Sequence, residues 1–305
     1  MADSQRTLQP DSSTHLRLGL TLALAAAFLF STKPIIIKWL YELGMSPLPL
    51  MWLRMLMAMP VYIVVGYFAW QRLPVKPDIR QISAAAGIGL MGYYLASLLD
   101  LQGLQYVSAQ LERLMLYAYP TMVIVLGALF FGQRLGRQQV SAMVLTYAGL
   151  LLVYGQDLSL GDAQDTRLGT LLILASALSF SLYILFSKKA IGQMGSLLFT
   201  SIAMGAAGVA TCIHYAVLHG VELPPMDNQR WAGTVLLAIF ATVVPSFLVS
   251  EAIKRIGPAR AAVSGTIGPV MTTLMAVVLL GEPFGWMTAA GMVLVLTGVS
   301  RLQKP

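Results

Sequence analysis

A chain of 305 residues that is 57% hydrophobic and only 11% charged is not a soluble domain, which would carry about a quarter charged residues. Its mean hydropathy is +0.73. The net charge of +7 does not mark a nucleic-acid binder, because the basic residues lie at the ends of apolar runs and leave no basic face.

In chain order, residues 1–15 are polar and are expected to form a disordered cytoplasmic tail. Ten apolar blocks follow, near 18–39, 48–69, 80–99, 106–131, 137–154, 168–189, 196–218, 232–253, 259–280 and 285–301. Each has the length of about 18–25 residues that a helix needs to cross a hydrocarbon core. The runs are continuous and lack the period-two alternation of barrel strands. The first block, with Arg17 before it and Ala25-Ala26-Ala27 inside it, imitates a secretory leader, but its counterpart at 169–188 makes retention the expectation.

Orientation follows from the loops. Fourteen Lys and Arg residues fall on one side: Arg6, Arg17, Arg72, Lys76, Arg80, Arg134, Arg137, Lys188, Lys189, Lys254, Arg255, Arg260, Arg301 and Lys304. The other side has Lys38, Arg167 and Arg230, together with acids such as Glu42, Asp157, Asp162, Asp165 and Glu282. The positive-inside rule places both termini in the cytoplasm, which requires an even number of spans.

The blocks form two sets of five. Shifted by 149 positions, Pro120 falls on Pro269, Gly132 on Gly281, Met143-Val144-Leu145 on Met292-Val293-Leu294 and Gly149 on Gly298. Nearer the start, a shift of 150 carries Phe30-Ser31 onto Phe180-Ser181 and Lys38 onto Lys188. A module with an odd number of spans enters the membrane from opposite sides in its two copies. The expected fold is therefore an all-α integral membrane protein with ten transmembrane helices as two inverted five-helix repeats, 16–155 and 167–302, joined by an extracytoplasmic linker at 156–166.

Several motifs mislead. Gly87, Gly89 and Gly92 match a dinucleotide fingerprint but lie inside an apolar run, where small residues serve helix packing; Gly205, Gly208, Gly265 and Gly268 are read the same way. The histidines His15, His214 and His219 are isolated, no metal-ligand spacing occurs, and no Ser/His/Asp set is present. Neither a cofactor nor a metal is expected. The single cysteine, Cys212, cannot form an intrachain disulfide.

Charges within the spans are the informative residues, since each costs about 2.5–3.5 kcal/mol at the bilayer centre. They are Lys33, Arg54, Asp100, Glu112 and Arg113, all in the outer half of the first repeat. We expect a paired cluster facing an extracytoplasmic vestibule, with Asp100 the most interfacial member and Glu112 paired to an arginine. Lys33 precedes Pro34, and Arg113 shares a helical face with Leu116, Tyr117 and Pro120. Tyr93, Ser97 and Asp100 form one polar stripe; Ser176, Ser179, Tyr183 and Ser187 form another; Thr266, Pro269 and Thr273 form a third. Substrate contacts are expected at Lys33, Arg54, Tyr93, Ser97, Glu112, Arg113, Tyr117, Ser179 and Tyr183, and helix bends at Pro34, Pro120, Pro245 and Pro269. Glu251 is read as a surface partner of Lys254 or Arg255. By the 149 shift, Glu112 and Arg113 correspond to Ala261 and Ala262, so the charged chemistry belongs to the first half.

The doubled pattern of Pro120 with Leu129-Phe130-Phe131-Gly132-Gln133-Arg134, and of Gly268-Pro269 with Leu279-Leu280-Gly281-Glu282, resembles the EamA type of the drug/metabolite transporter superfamily over about 18–300. The resemblance implies ten helices in two inverted repeats and export or exchange of small metabolites, often amino acids or related compounds. Gln133 departs from the acidic residue usual at that position. The expected protein is a secondary transporter of the cytoplasmic (inner) membrane that handles small carboxylated or zwitterionic metabolites by alternating access, as a monomer or a homodimer, with Glu112 exchanging a proton if transport is proton-coupled. It is not expected to be an enzyme. The alternatives are a passive channel or facilitator and a non-transporting membrane component.

Overall fold

The computed structural model describes residues 12–132, 135–220, 222–248, 251–252, 255–256 and 267–302. The expected terminal disorder, and Gln133, Lys254, Ala261, Ala262, Gly265 and Thr266, lie outside these residues or, at the tail, almost wholly so. Among the described residues the chain is all-helical, with no strand. Eight of its helices are long and apolar enough to cross a membrane, and two further apolar helices are shorter.

Helix α1 spans Ser12–Glu42 and α2 spans Pro47–Arg72, where Pro47 and Pro49 occupy a first turn in which a missing N–H costs nothing. Helix α3, Ile79–Gly103, begins in a capping box: Asp78 accepts from Gln81 N, and the Gln81 side chain accepts from Asp78 N. The fourth span is broken into α4a, Ala109–Leu116, and α4b, Tyr119–Phe131. Then come α5, Arg137–Leu160; α6, Ala163–Met194; α7, Ser196–His219; α8, Asn228–Leu248; α9, Gly268–Leu280; and α10, Trp286–Leu302.

Helix α5 runs to Leu160 and α6 starts at Ala163 behind its N-cap Asp162, so most of the expected loop 156–166 is helix. Of the four prolines expected to bend helices, Pro34 lies inside the unbroken α1 and Pro245 lies two residues after a π-helical turn, Ile239–Val243. Pro120 and Pro269 instead open new helices. Pro60, within α2, is a fifth that the sequence reading did not single out.

Local structure recurs at the 149 offset. A π-helical turn at Leu90–Leu95 inside α3 matches the one inside α8. Helices α4b and α9 are each 13 residues long, carry proline as their second residue and are capped by a left-handed glycine, Gly132 (φ 64) and Gly281 (φ 66). That backbone region carries a steric cost for any side chain, which is why both C-caps are glycine.

Packing between the halves is reciprocal as well. Helix α1 packs on α8 and α9, while its counterpart α6 packs on α3 and α4; α2 packs on α7, and α5 on α10. Ser31 Oγ shares its proton between Ala27 O (2.6 Å) and Gly268 O (3.0 Å). Its counterpart Ser181 does the same with Ala177 O (2.6 Å) and Tyr119 O (3.1 Å). Each serine thus ties the first helix of its half to the backbone at the start of a short helix in the other half.

The α5–α10 contact is backbone on backbone. A Cβ on Gly149 would sit 2.5 Å from Gly291 O, and one on Gly298 would sit 2.7 Å from Ala142 O. Only small residues permit this approach, which in lipid supplies dispersion energy that burial of apolar surface cannot. Glycines explain part of the dinucleotide-like motif in the same way: a Cβ on Gly89 would strike the Ala203 backbone and one on Gly92 the Tyr183 ring, whereas Gly87 and Gly205 meet nothing within 4 Å. The packing expectation therefore fails for Gly87 and Gly205. Apolar side chains such as Phe28, Ile63, Phe68, Leu129, Val144, Leu171, Val217 and Val278 are exposed, as required where lipid is the solvent.

Candidate functional site

The site is built where the fourth span breaks. Pro120 has no N–H to give back to Leu116, so the helix closes early with short-range bonds, Tyr117 N to Leu114 O and Ala118 N to Met115 O, both 3.0 Å. The chain restarts at Tyr119. The last turn of α4a carries Arg113, whose guanidinium lies 5.8 Å over the Tyr117 ring. A Cβ on Gly268 would be 2.9 Å from Arg113 Nη2, 3.0 Å from Tyr117 OH and 3.4 Å from Ser31 Oγ. Glycine at 268 thus leaves room for the arginine head against the start of α9.

Four helices contribute to one charged cluster. Lys33 Nζ on α1 donates to Asp100 Oδ2 on α3 at 2.5 Å. Asp100, Lys33 and Arg113 are all within electrostatic reach of Glu112 on α4a, and Asp100 is within reach of Arg54 on α2. Burial is severe: Arg54 is 3% exposed, Asp100 2% and Glu112 1%. Hydrogen-bonding capacity is left unfilled at Arg54 Nε and Nη2, Asp100 Oδ1, Glu112 Oε2 and Arg113 Nε. Buried polar atoms are ordinarily paired, so such a concentration of open donors and acceptors calls for a ligand or water.

Two expectations change here. Asp100 is buried by protein and does not sit free at a helix end: α3 continues to Gly103, the following residues Leu104 and Val107 fold inward, and Tyr41 OH donates to Leu101 O at 2.7 Å. Among the described residues Glu112 is not paired with an arginine; Lys33 and Asp100 form the ion pair instead.

The remaining residues of the expected site form a second group at the α3–α6 seam. Tyr93 OH and Tyr183 OH are 2.9 Å apart, Ser179 Oγ donates to Met91 O at 2.8 Å, and Ser176 Oγ donates to Ala96 O at 2.7 Å. Met91 O lies in the π-helical turn, where backbone carbonyls are loosened from the regular ladder. Ser97 is half-buried one turn before Asp100. Glu251 pairs with Arg255 at 2.7 Å across one helical turn, as its expected surface role requires.

Sequence reasoning missed the lid over α4a. Glu282, from the loop between α9 and α10, accepts from Ala109 N (2.6 Å) and Gln110 N (3.2 Å). Asp157 on α5 accepts from Ser108 N (2.8 Å) and Ser108 Oγ (2.7 Å). Two carboxylates thus face the positive end of one helix, where each is favoured. Gln110 Nε2 donates to Pro283 O at 3.3 Å, and a cavity of about 190 Å³ lies beside these residues, lined also by Gln156, Thr166 and Thr288. Ser108 is the N-cap of α4a, and which acids meet it depends on contacts from residues 49 and about 170 positions away.

Apolar helices of spanning length around a buried polar site define a multi-pass membrane protein of the transporter kind. The chain belongs to the EamA-like transporter family, which matches residues 17–155 and 167–302, and so to the drug/metabolite transporter superfamily. It is 29% identical over 294 residues to the uncharacterized transporter YcbK of Bacillus subtilis (strain 168), covering 92% of each chain. It is 28% identical over 206 residues to a probable amino-acid metabolite efflux pump of Escherichia coli (strain K12), covering 63% of this chain and 66% of that one. A protein known from a crystal structure shares the fold with a TM-score of 0.65 at 19% identity, covering 93% of this chain and 95% of the other.

Proposed function

We propose that the chain is a secondary active transporter of the cytoplasmic (inner) membrane that exports or exchanges small polar metabolites, such as amino acids or related carboxylated compounds, by alternating access. The observation that carries this reading is the charged cluster with open hydrogen bonds beside the broken fourth span. Discontinuous helices are where transporters bind cargo, because a helix break frees backbone groups inside the membrane.

In this reading the chain has ten spans as two inverted five-helix repeats, with both termini cytoplasmic. Support comes from the loop charges, the 149 offset and the reciprocal packing of α1 on α8 and α9 and of α6 on α3 and α4. The two bundles rock about the site, with α2–α7 and α5–α10 as the contacts they share. Arg113, Arg54 and Lys33 draw the carboxylate, Tyr117 stacks against the cargo, and Glu112 takes part in proton coupling. Tyr93, Ser97, Ser179 and Tyr183 shape one wall of the path. The name of the Escherichia coli relative favours amino acids among such metabolites.

Comparing metabolites released by cells with and without the protein identifies the cargo. Counterflow of that labelled compound in proteoliposomes then tests the mechanism: a carrier accelerates uptake when unlabelled cargo is inside, and a passive channel does not. Reporter tags on the two termini should both register on the cytoplasmic face; opposite faces would break the inverted-repeat reading.

A further inference from the structure

Packing divides the helices around the site into two groups. Helix α6 gathers α3 and α4a, and α1 gathers α8 and α9. Glu282 follows directly on the cap of α9 and reaches across the seam between these groups. Its two oxygens accept from Ala109 N at 2.6 Å and Gln110 N at 3.2 Å, and Gln110 Nε2 adds a bond to Pro283 O at 3.3 Å. The first N–H groups of a helix have no partner within it, so a carboxylate there is held by charge as well as by hydrogen bonds. Two bonds from α1 cross the same seam, Lys33 to Asp100 and Tyr41 to Leu101 O, so α1 and the α9–α10 loop both hold this stretch of chain.

The loop that carries Glu282 is anchored. Gln156 of α5 donates to Pro283 O at 3.3 Å and accepts from Thr288 N at 3.0 Å. A Cβ on Gly285 would sit 2.6 Å from Gln156 Oε1, so glycine is what lets the loop seat there. The stretch that Glu282 holds is instead bracketed by two departures from regular helix, the π-helical turn Leu90–Leu95 and the break at Tyr117 and Ala118. Between them lie Asp100, Glu112 and Arg113. Backbone irregularities of this kind are where a segment hinges. By the 149 shift Glu282 corresponds to Gln133, whose amide has one oxygen where the carboxylate has two. This carboxylate therefore belongs to one end of the molecule only.

We propose that Glu282 is a latch: it holds the hairpin 96–116 shut against α9, and cargo leaves on the extracytoplasmic side only when Glu282 lets go of α4a. The inference rests on the transporter reading and its orientation. Glu282 acts through α4a and is a positioning residue for the charged cluster. Asp157 differs from it. It caps the same helix start through Ser108 N and Ser108 Oγ, but it comes from α5, in the same half as α4a, and props the helix without crossing the seam.

The test is the distance between spin labels at Tyr106→Cys and Phe284→Cys, two exposed positions on either side of the latch, in the full-length chain carrying Cys212→Ala, in lipid and without cargo. With Glu282 in place one short distance should dominate. Glu282→Gln, which keeps the size but loses the charge and one acceptor, should raise the share of a longer distance several-fold, and Asp157→Asn should not. An unchanged distribution in Glu282→Gln, or an equal lengthening in Asp157→Asn, overturns the latch. Bridging the same two cysteines with a short reducible crosslinker, with Glu282 intact, separates a latch from a prop: metabolite release should stop and return on reduction. Full release with the bridge in place overturns the proposal without calling on any variant of Glu282. The distance readings need no metabolite. If they pass while cells with and without the protein release the same metabolites, the transporter reading fails by itself.

Discussion

The two halves share a backbone plan and differ in what they mount on it. Helices α4b and α9 carry Pro120 and Pro269 in their first turns, are capped by Gly132 and Gly281, and are each tied at their start by a serine from the other half. Yet the residues before the first break are Glu112 and Arg113, while the matching positions are Ala261 and Ala262. The α9 side offers Gly268, Thr272 and Thr273, small groups that make room. The charges that precede Pro120 have no counterpart in the sequence before Pro269. A second set of in-span charges would add its own insertion cost.

The asymmetry can be broken most sharply at the charges. Arg113→Ala and Lys33→Ala should abolish efflux while the protein still inserts; wild-type flux in both would refute the site. Lys33→Ala also strands Asp100, and removing one partner of a buried ion pair costs about 3–5 kcal/mol, so its thermal unfolding in detergent should fall well below that of the wild type. The shared plan predicts equal penalties where the halves are equivalent. Gly149→Leu and Gly298→Leu both force a side chain against backbone, and each should cost about 1–3 kcal/mol in the same assay. A large penalty in one and none in the other would undo the equivalence of α5 and α10.

A finer probe is Gly268→Ala. Its Cβ would press on the movable end of Arg113 rather than on backbone, so efflux should fall several-fold with the unfolding temperature almost unchanged. The smallest effect is expected for the paired serines. Ser31→Ala and Ser181→Ala should each lose about 1 kcal/mol of stability, the ordinary worth of one such bond. Only Ser31→Ala, beside Arg113, should also disturb transport.

Much of this was legible before any coordinates. Apolar length gave the helices, and the 149 offset gave the match of Pro120 with Pro269 and of Gly132 with Gly281, but the full break of the fourth span, expected only as a bend at Pro120, was not legible. The clustering of Lys33, Glu112 and Arg113 followed from depth along helices of known rise. The pairing did not, because it depends on rotation and register between segments 67 residues apart. Asp100 illustrates the reason. Apolar length ends the third span near 99, but the helix carries on to Gly103 through a π-helical turn at Leu90–Leu95, whose extra residue resets the face that follows. That turn has no strong local mark in sequence. Tyr93, Tyr183 and Ser179 are expected to contact substrate for a related reason: a polar stripe reports a polar neighbour, and here part of that neighbour is another helix.

The close seating of α5 on α10 through Gly149, Gly291 and Gly298 has a consequence for how the chain can be cut. Each half carries the recognition surface that the other lacks, and only Gly161 and Asp162 separate α5 from α6. Two fragments divided there and made in the same cell should find one another in the bilayer. The covalent link would then serve mainly to keep the stoichiometry at one to one.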